Sequence, residues 1–187
     1  MIAGLLCALF MICGESVVDL PPPATPASLE AQVMVHSVPL VARWEGMPCD
    51  GDRCAAYLDT LAEPDVWTIC AGETEGVRPG EVRTRAECEA GLRAGLIRYW
   101  RALLPYFEPG TLAMFLTPQR GAAFNSLSWN IGVSGTGRST AMRRLNAGDI
   151  RGACEAIGMW NRAGGRVIRG LVNRRADETA LCLVGVR

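Results

Sequence analysis

Glu45 and Asp59 are two carboxylic acids separated by 13 residues, in a stretch that also contains Trp44, Tyr57 and Thr68. Cleavage of an acetal between two sugars needs one protonated carboxyl group, which gives its proton to the leaving oxygen. It also needs one carboxylate that steers water or stabilises the sugar cation. Two carboxyl groups from separate elements must therefore face one cleft. The spacing and residue types therefore indicate glycosidic bond cleavage by Glu45 and Asp59.

Two short elements are predicted to position these groups. Ser37 is suited to cap a helix that starts near Val38, and Gly46 to end it, which places Glu45 in the last turn. From residue 55 to about residue 71, β-branched and aromatic residues predict a small hairpin that carries Asp59 and Thr68.

The remainder of the chain is predicted to be helical. Thr84 and Glu87 form a capping box that opens a helix to about Leu104. Its apolar stripe, which we assign to the core, is Cys88, Leu92, Leu96, Tyr99 and Leu103. Further helices are expected at about 118–131, 140–145, 149–160 and 170–182. A small hairpin among many helices predicts an α+β fold with the cleft between two lobes.

The 187 residues fit one sizeable core, and the charge is unevenly distributed along them. Residues 1–75 hold 11 acids and two arginines, whereas residues 76–187 hold 17 arginines and 8 acids. A basic face of this kind attracts a polyanionic surface such as bacterial cell wall, although a solvated arginine-rich surface explains it equally well. No nucleic-acid motif or interleaved aromatic residues accompany the arginines, so we expect no nucleic-acid partner.

Residues 1–14 form an apolar run with the length of a signal-peptide core. We interpret them as a signal or signal-anchor segment, which makes the protein exported, periplasmic or facing the cell wall, with a membrane tether as one option. Residues 15–36, which include Pro21–Pro23, are predicted to be a linker. The domain that carries the chemistry is then residues 37–187, and we expect it to be a monomer.

Six of the eight cysteines lie beyond the predicted linker, and an even number next to an export-like segment predicts disulfides. Six cysteines allow 15 pairings, of which we favour the local ones, Cys49–Cys54, Cys70–Cys88 and Cys154–Cys182. Reduced, buried cysteines are one alternative. Zinc is a weaker one, because there is no Cys-x-x-Cys pair or histidine cluster.

Several segments resemble the phage-type lysozymes, the endolysins that cut the glycan strand of peptidoglycan. They occur in the family's order after residue 40 and are 44–46, 56–59, 67–74, 124–132, 145–149 and 160–175. The resemblance implies a lysozyme-like fold and hydrolysis of the β-1,4 bond between N-acetylmuramic acid and N-acetylglucosamine. Peptidoglycan glycan strands would be the partner, and no cofactor or metal is required.

The resemblance also implies a role for each residue. Glu45 is the acid, Asp59 is the carboxylate on the opposite face of the sugar, and Thr68 is the hydroxyl that positions water. Asn130 would line the sugar cleft, and Arg174 would pair with Glu45 from the helical lobe.

The spacing departs from the family pattern in the two loops around Asp59. The family has about eight residues between glutamate and aspartate and five between aspartate and threonine, whereas this chain has 13 and 8. Cys54 and Thr60 satisfy the usual spacing and form a rival pair. We prefer Asp59 and Thr68 because the residues around them match the family. Glu73 replaces a histidine that is common in the family, and we interpret it as a structural or cleft-rim residue.

Other functions remain as alternatives. A lytic transglycosylase of the same fold would need Glu45 but not Asp59, since a hydroxyl group of the sugar replaces water. A wall-binding or virion structural module would keep the fold without turnover. His36, the sole histidine, precedes the predicted domain, so hydrolases that use histidine as a base are not favoured.

Overall fold

The computed structural model describes residues 26–60 and 63–186. The predicted signal or signal-anchor segment (1–14) and the first part of the predicted linker lie outside these residues. Helix α1 spans Pro26–Glu45, so the linker prediction is wrong from Pro26 onward, as is the helix start near Val38. Ser37 is no cap: it is fully buried in the middle of α1, where its Oγ accepts a hydrogen bond from Asn125 at 3.3 Å. The helix begins well before Ser37, the predicted cap, because the apolar face of α1 packs against the rest of the helical lobe.

Two small sheets follow α1. Strands β1 (Cys49–Asp50), β2 (Arg53–Ala55) and β5 (Val82–Thr84) form an antiparallel sheet in the order β1-β2-β5. Strands β3 (Tyr57–Asp59) and β4 (Val66–Thr68) form the predicted hairpin that carries Asp59 and Thr68. A third antiparallel pair, β6 (Arg162–Ala163) and β7 (Arg166–Val167), lies among the later helices.

The other helices form the larger lobe. They are α2 (Arg85–Leu103), α3 (Pro109–Met114), α4 (Pro118–Ile131), α5 (Val133–Gly137), α6 (Thr140–Asn146), α7 (Ile150–Ile157) and α8 (Arg169–Cys182), with a 3-10 turn at Leu104–Tyr106. The predicted capping box of α2 is present. Helices α3 and α5 were not predicted. Helix α4 packs against α1, α2 and α8, so it forms the centre of this lobe.

The core of the helical lobe differs in one respect from the predicted α2 stripe. Cys88, Leu92, Leu96 and Leu103 are buried as predicted, but Tyr99 is only partly buried. The fully buried aromatic residue of α2 is Trp100, which packs 5.9 Å from the ring of Phe107. All three predicted disulfides are present, Cys49–Cys54, Cys70–Cys88 and Cys154–Cys182.

No helix within residues 26–60 and 63–186 is both long and apolar enough to cross a bilayer.

Gly121 marks the closest approach of α4 to its neighbours. A Cβ at this position would lie 2.7 Å from Cγ2 of Val33 and 3.1 Å from the ring of Trp100, both fully buried. We expect Gly121→Ala to lower the free energy of unfolding by about 1–2 kcal/mol, because overpacking outweighs the better helix propensity of alanine. Urea unfolding measures this. Gly170→Ala in α8, where a Cβ would meet nothing within 4 Å, should be neutral or stabilising. Equal effects of the two changes would contradict the packing argument.

Candidate active site

Glu45 is the last residue of α1, as predicted. Gly46 follows with a φ of +71°, and its N–H donates to the carbonyl of Ala42 at 3.1 Å, which closes the helix. Glu45 lines a cavity of about 360 Å³ together with Gly46, Met47, Pro48 and Tyr57. The end of α1 thus presents a carboxyl group to an open cavity beside the β3–β4 hairpin.

The hairpin places its candidate residues on one face. Tyr57 lies opposite Thr68, and Asp59 lies opposite Val66. Alternate residues of a strand share a face, and directly opposed residues of an antiparallel pair share it too. Tyr57, Asp59 and Thr68 therefore point to the same side, and Tyr57 lines the cavity of Glu45. The candidate carboxylate and hydroxyl therefore share a hairpin face with Tyr57, which lines the cavity of Glu45.

Thr68 and Asp59 differ in exposure. Thr68 is 3% exposed, and its hydroxyl donates to the carbonyl of Val66 at 3.3 Å. Asp59 is half-buried. The hydroxyl of Thr68 is therefore held in place, and Asp59 retains partial access to solvent.

Cys54 does not have the chemistry that the rival assignment needs. It is fully buried and bonded to Cys49, its direct cross-strand neighbour. A sulfur atom in a disulfide is neither a thiol nor a thiolate. Thr60, the other residue of the rival pair, is exposed and directly follows β3. The longer segment between Glu45 and Asp59 contains the β1–β2 hairpin, which the Cys49–Cys54 disulfide closes.

Helix α8 contacts Glu45 from the helical lobe. Nη1 of Arg174 donates to Oε1 of Glu45 at 2.7 Å, as the resemblance implied, and Arg174 is only 5% exposed. Arg43 and Asp177 form a second ion pair between α1 and α8, at 3.1 Å. The last turn of α1 is therefore held at two points by α8.

Asn130, the predicted cleft residue, is contacted by the same helix. Its Oδ1 accepts a hydrogen bond from Nη2 of Arg175 at 2.8 Å, and the residue is exposed near the end of α4. Arg175 is 1% exposed. Sequence reasoning did not give Arg175 a role in the site.

A second groove, of about 410 Å³, lies between the segment that follows β4 and helices α2 and α4. Glu73, Glu75, Arg98 and Trp129 are among its lining residues. The carboxylate of Glu73 also pairs with Nη1 of Arg83 at 2.5 Å. Glu73 therefore forms a structural ion pair and also lies at the rim of this groove.

The Phage lysozyme family model matches residues 42–178, which include every candidate residue described above. The chain belongs to this family. It is 36% identical over 140 residues to a SAR-endolysin of Enterobacteria phage P21, a match that covers 73% of this chain and 80% of that protein.

Solved structures of an endolysin and of a muramidase domain share the fold. An endolysin from Escherichia coli O157:H7 phage FAHEc1 superimposes with a TM-score of 0.66 and 26% identity, covering 81% of this chain and 92% of that one. The muramidase domain of SpmX from Asticaccaulis excentricus gives 0.64 and 28%, covering 79% and 94%. The predicted α+β, lysozyme-like fold is confirmed. Membership of the phage lysozyme family supports peptidoglycan hydrolysis as the activity.

The residue of this phage lysozyme that sequence reasoning missed most completely is Glu178. It is fully buried in α8, within reach of Arg174 and Arg175. Burial raises its pKa, while the charge of Arg175, a hydrogen bond from Ser126 and the charge of Arg174 oppose that rise. Burial also lowers the pKa of Arg175. The only sequence signal was Arg-x-x-x-Glu spacing, which is typical of solvated helix faces.

Proposed function

We propose that this phage lysozyme is a muramidase that hydrolyses the β-1,4 bond between N-acetylmuramic acid and N-acetylglucosamine. Glu45 protonates the leaving oxygen, Asp59 activates the attacking water, and Thr68 positions that water. Asn130 lines the cleft on the side of the helical lobe. No cofactor is needed, since both proton transfers use side chains of the chain itself.

One observation carries this proposal. Glu45 lies in a cavity shared with Tyr57, and Asp59 and Thr68 lie on the same hairpin face as Tyr57. The acid thus comes from α1 and the second carboxylate from β3, which is the arrangement that acetal hydrolysis needs. The muramidase domain among the structural neighbours supports the choice of bond.

Export belongs to the same proposal. Peptidoglycan lies outside the cytoplasmic membrane, and three disulfides fit an oxidising compartment. The similarity to proteins called SAR-endolysins supports the signal-anchor interpretation of residues 1–14. We propose that the protein acts as a monomer on the periplasmic or cell-wall side, with residues 1–14 as its export signal or tether.

The products distinguish this proposal from its alternatives. The full chain is incubated with purified peptidoglycan, and the soluble fragments are analysed by mass spectrometry. A muramidase releases fragments with reducing ends, and if Asp59 activates water the new anomeric centre is inverted. Anhydro ends would assign the chain to the lytic transglycosylases. Intact glycan strands in the presence of folded protein would favour a binding or structural module.

A further inference from the structure

Glu178 is a buried carboxylate that the proposed reaction does not use. It lies one turn after Arg174 in α8, and none of its surface is exposed. A buried charge is costly unless charged or polar partners compensate it. The contacts of its two oxygens therefore indicate what it stabilises.

Each oxygen of Glu178 faces a different arginine. Oε1 accepts from Nε of Arg174 at 3.2 Å and from the hydroxyl of Ser126 at 2.6 Å. Oε2 lies 3.1 Å from Nε of Arg175, an ion pair that lacks hydrogen-bond alignment. The guanidinium groups of Arg174 and Arg175 lie 3.2 and 3.1 Å from these oxygens, so their charges favour the ionised form of Glu178, although burial raises its pKa.

The two arginines that contact Glu178 also contact two separate residues of the proposed site. Nη1 of Arg174 reaches Glu45 at 2.7 Å, and Nη2 of Arg175 reaches Oδ1 of Asn130 at 2.8 Å. Each guanidinium group is rigid and planar, so fixing its Nε end also fixes its Nη end. Glu178 thus holds the inner ends of two groups whose outer ends contact Glu45 and Asn130.

We propose that Glu178 is a positioning residue, which orients Arg174 and Arg175 and, through them, the acid Glu45 and the cleft residue Asn130. This proposal rests on the function proposed above for Glu45. It adds an electrostatic role, because Glu178 shares the positive charge of Arg174 with Glu45. A general acid has to carry a proton before it reacts. Because Glu178 partly neutralises the charge of Arg174, Arg174 opposes the protonation of Glu45 less than it would without Glu178.

The test compares the pH–activity curves of the full chain and of Glu178→Gln, with reducing ends as the readout. Glutamine keeps the size of the side chain and an acceptor for Ser126 but removes the charge. We expect the high-pH limb of the curve to shift to lower pH by about one unit. Glu178→Gln removes one negative charge beside Arg174, so Arg174 opposes the protonation of Glu45 more strongly. The size of the shift assumes an effective dielectric constant near 20. Activity near neutral pH should fall about tenfold and recover toward acid pH. A merely destabilised variant would not recover on acidification.

Glu30→Gln is the matched control. It removes a glutamate charge from an ion pair with Arg101 at 2.8 Å, also in the helical lobe but remote from the proposed chemistry. Its curve should overlay that of the parent. If Glu178→Gln does not fold, Ser126→Ala takes its place. It keeps every charge but loses the 2.6 Å hydrogen bond to Glu178, so we expect a few-fold lower kcat with an unchanged KM.

The outcomes separate this proposal from the function on which it rests. If the parent cleaves no glycan, or if Glu45→Gln keeps full activity, the proposed function fails and the positioning role fails with it. If the parent is active, Glu45→Gln is inactive and Glu178→Gln matches the parent at every pH, only the positioning role is wrong. An unchanged kcat in Ser126→Ala would also overturn it.

Discussion

Glu45→Gln should lower the rate of peptidoglycan cleavage by about 10³-fold, because glutamine cannot supply the proton that the leaving oxygen needs. The amide keeps the size of the side chain, and its oxygen can still accept the hydrogen bond from Arg174 that Glu45 now accepts at 2.7 Å. The fold should therefore persist. Release of reducing ends from purified peptidoglycan measures the rate, and thermal unfolding verifies the fold.

Glu89→Gln serves as the comparison for this loss. Glu89 is exposed on α2 and lines neither of the two cavities described above. The substitution removes the same charge without touching the site, so its rate should equal that of the parent. Full activity in Glu45→Gln would remove the acid from the mechanism and leave Glu45 as a structural partner of Arg174.

Asp59→Asn should lower hydrolysis by roughly 10²–10³-fold, since an amide cannot take a proton from the attacking water. The substitution retains the strand position opposite Val66, so the hairpin should form as before. Steady-state assays should show the loss in kcat rather than in KM. Asp65→Asn, in the exposed loop of the same hairpin, is the control and should behave like the parent.

The double variant Cys49→Ala, Cys54→Ala tests the rival assignment in the same assay. It opens a short disulfide loop, and we expect some loss of stability with activity within a few-fold of the parent. Activity that survives Asp59→Asn but not the double variant would transfer the second role to Cys54. Activity that survives both, with anhydro products, would identify a lytic transglycosylase.

Elements with strong local signals could be predicted from the sequence. Helix α4 spans Pro118–Ile131, the predicted range, and its ends are set locally by the side-chain cap of Thr117, the first-turn Pro118 and the terminal Gly132. The capping box of α2 and the short-range disulfide pairs are local in the same sense. Glu45, Asp59 and Thr68 are proposed as site residues because each lies in a short segment that resembles the family.

Features that depend on tertiary contacts were predicted less well. Nothing near Ser37 in the sequence shows that it meets Asn125 of α4, 88 residues later, so a buried helical serine looked like a cap. The role of Glu178 was hidden for the same reason, because its importance comes from the helices that cover it. In contrast, the β6–β7 hairpin had a local signal: Gly164 and Gly165, with φ of +54° and +76°, form the two-residue connection that links such strands.

The Cys154–Cys182 disulfide has a consequence for the charges around Glu45, the proposed acid. Cys182 is the last residue of α8, about one turn beyond Glu178, and Thr179 between them donates a hydrogen bond to the carbonyl of Cys154 at 3.2 Å. A helix that shifts by one residue moves about 1.5 Å along its axis and turns about 100°. Such a shift would carry Arg174 away from Glu45, but the covalent bond to α7 prevents it. The helical register that places Arg174 against Glu45 is therefore fixed by a bond that only reduction can open.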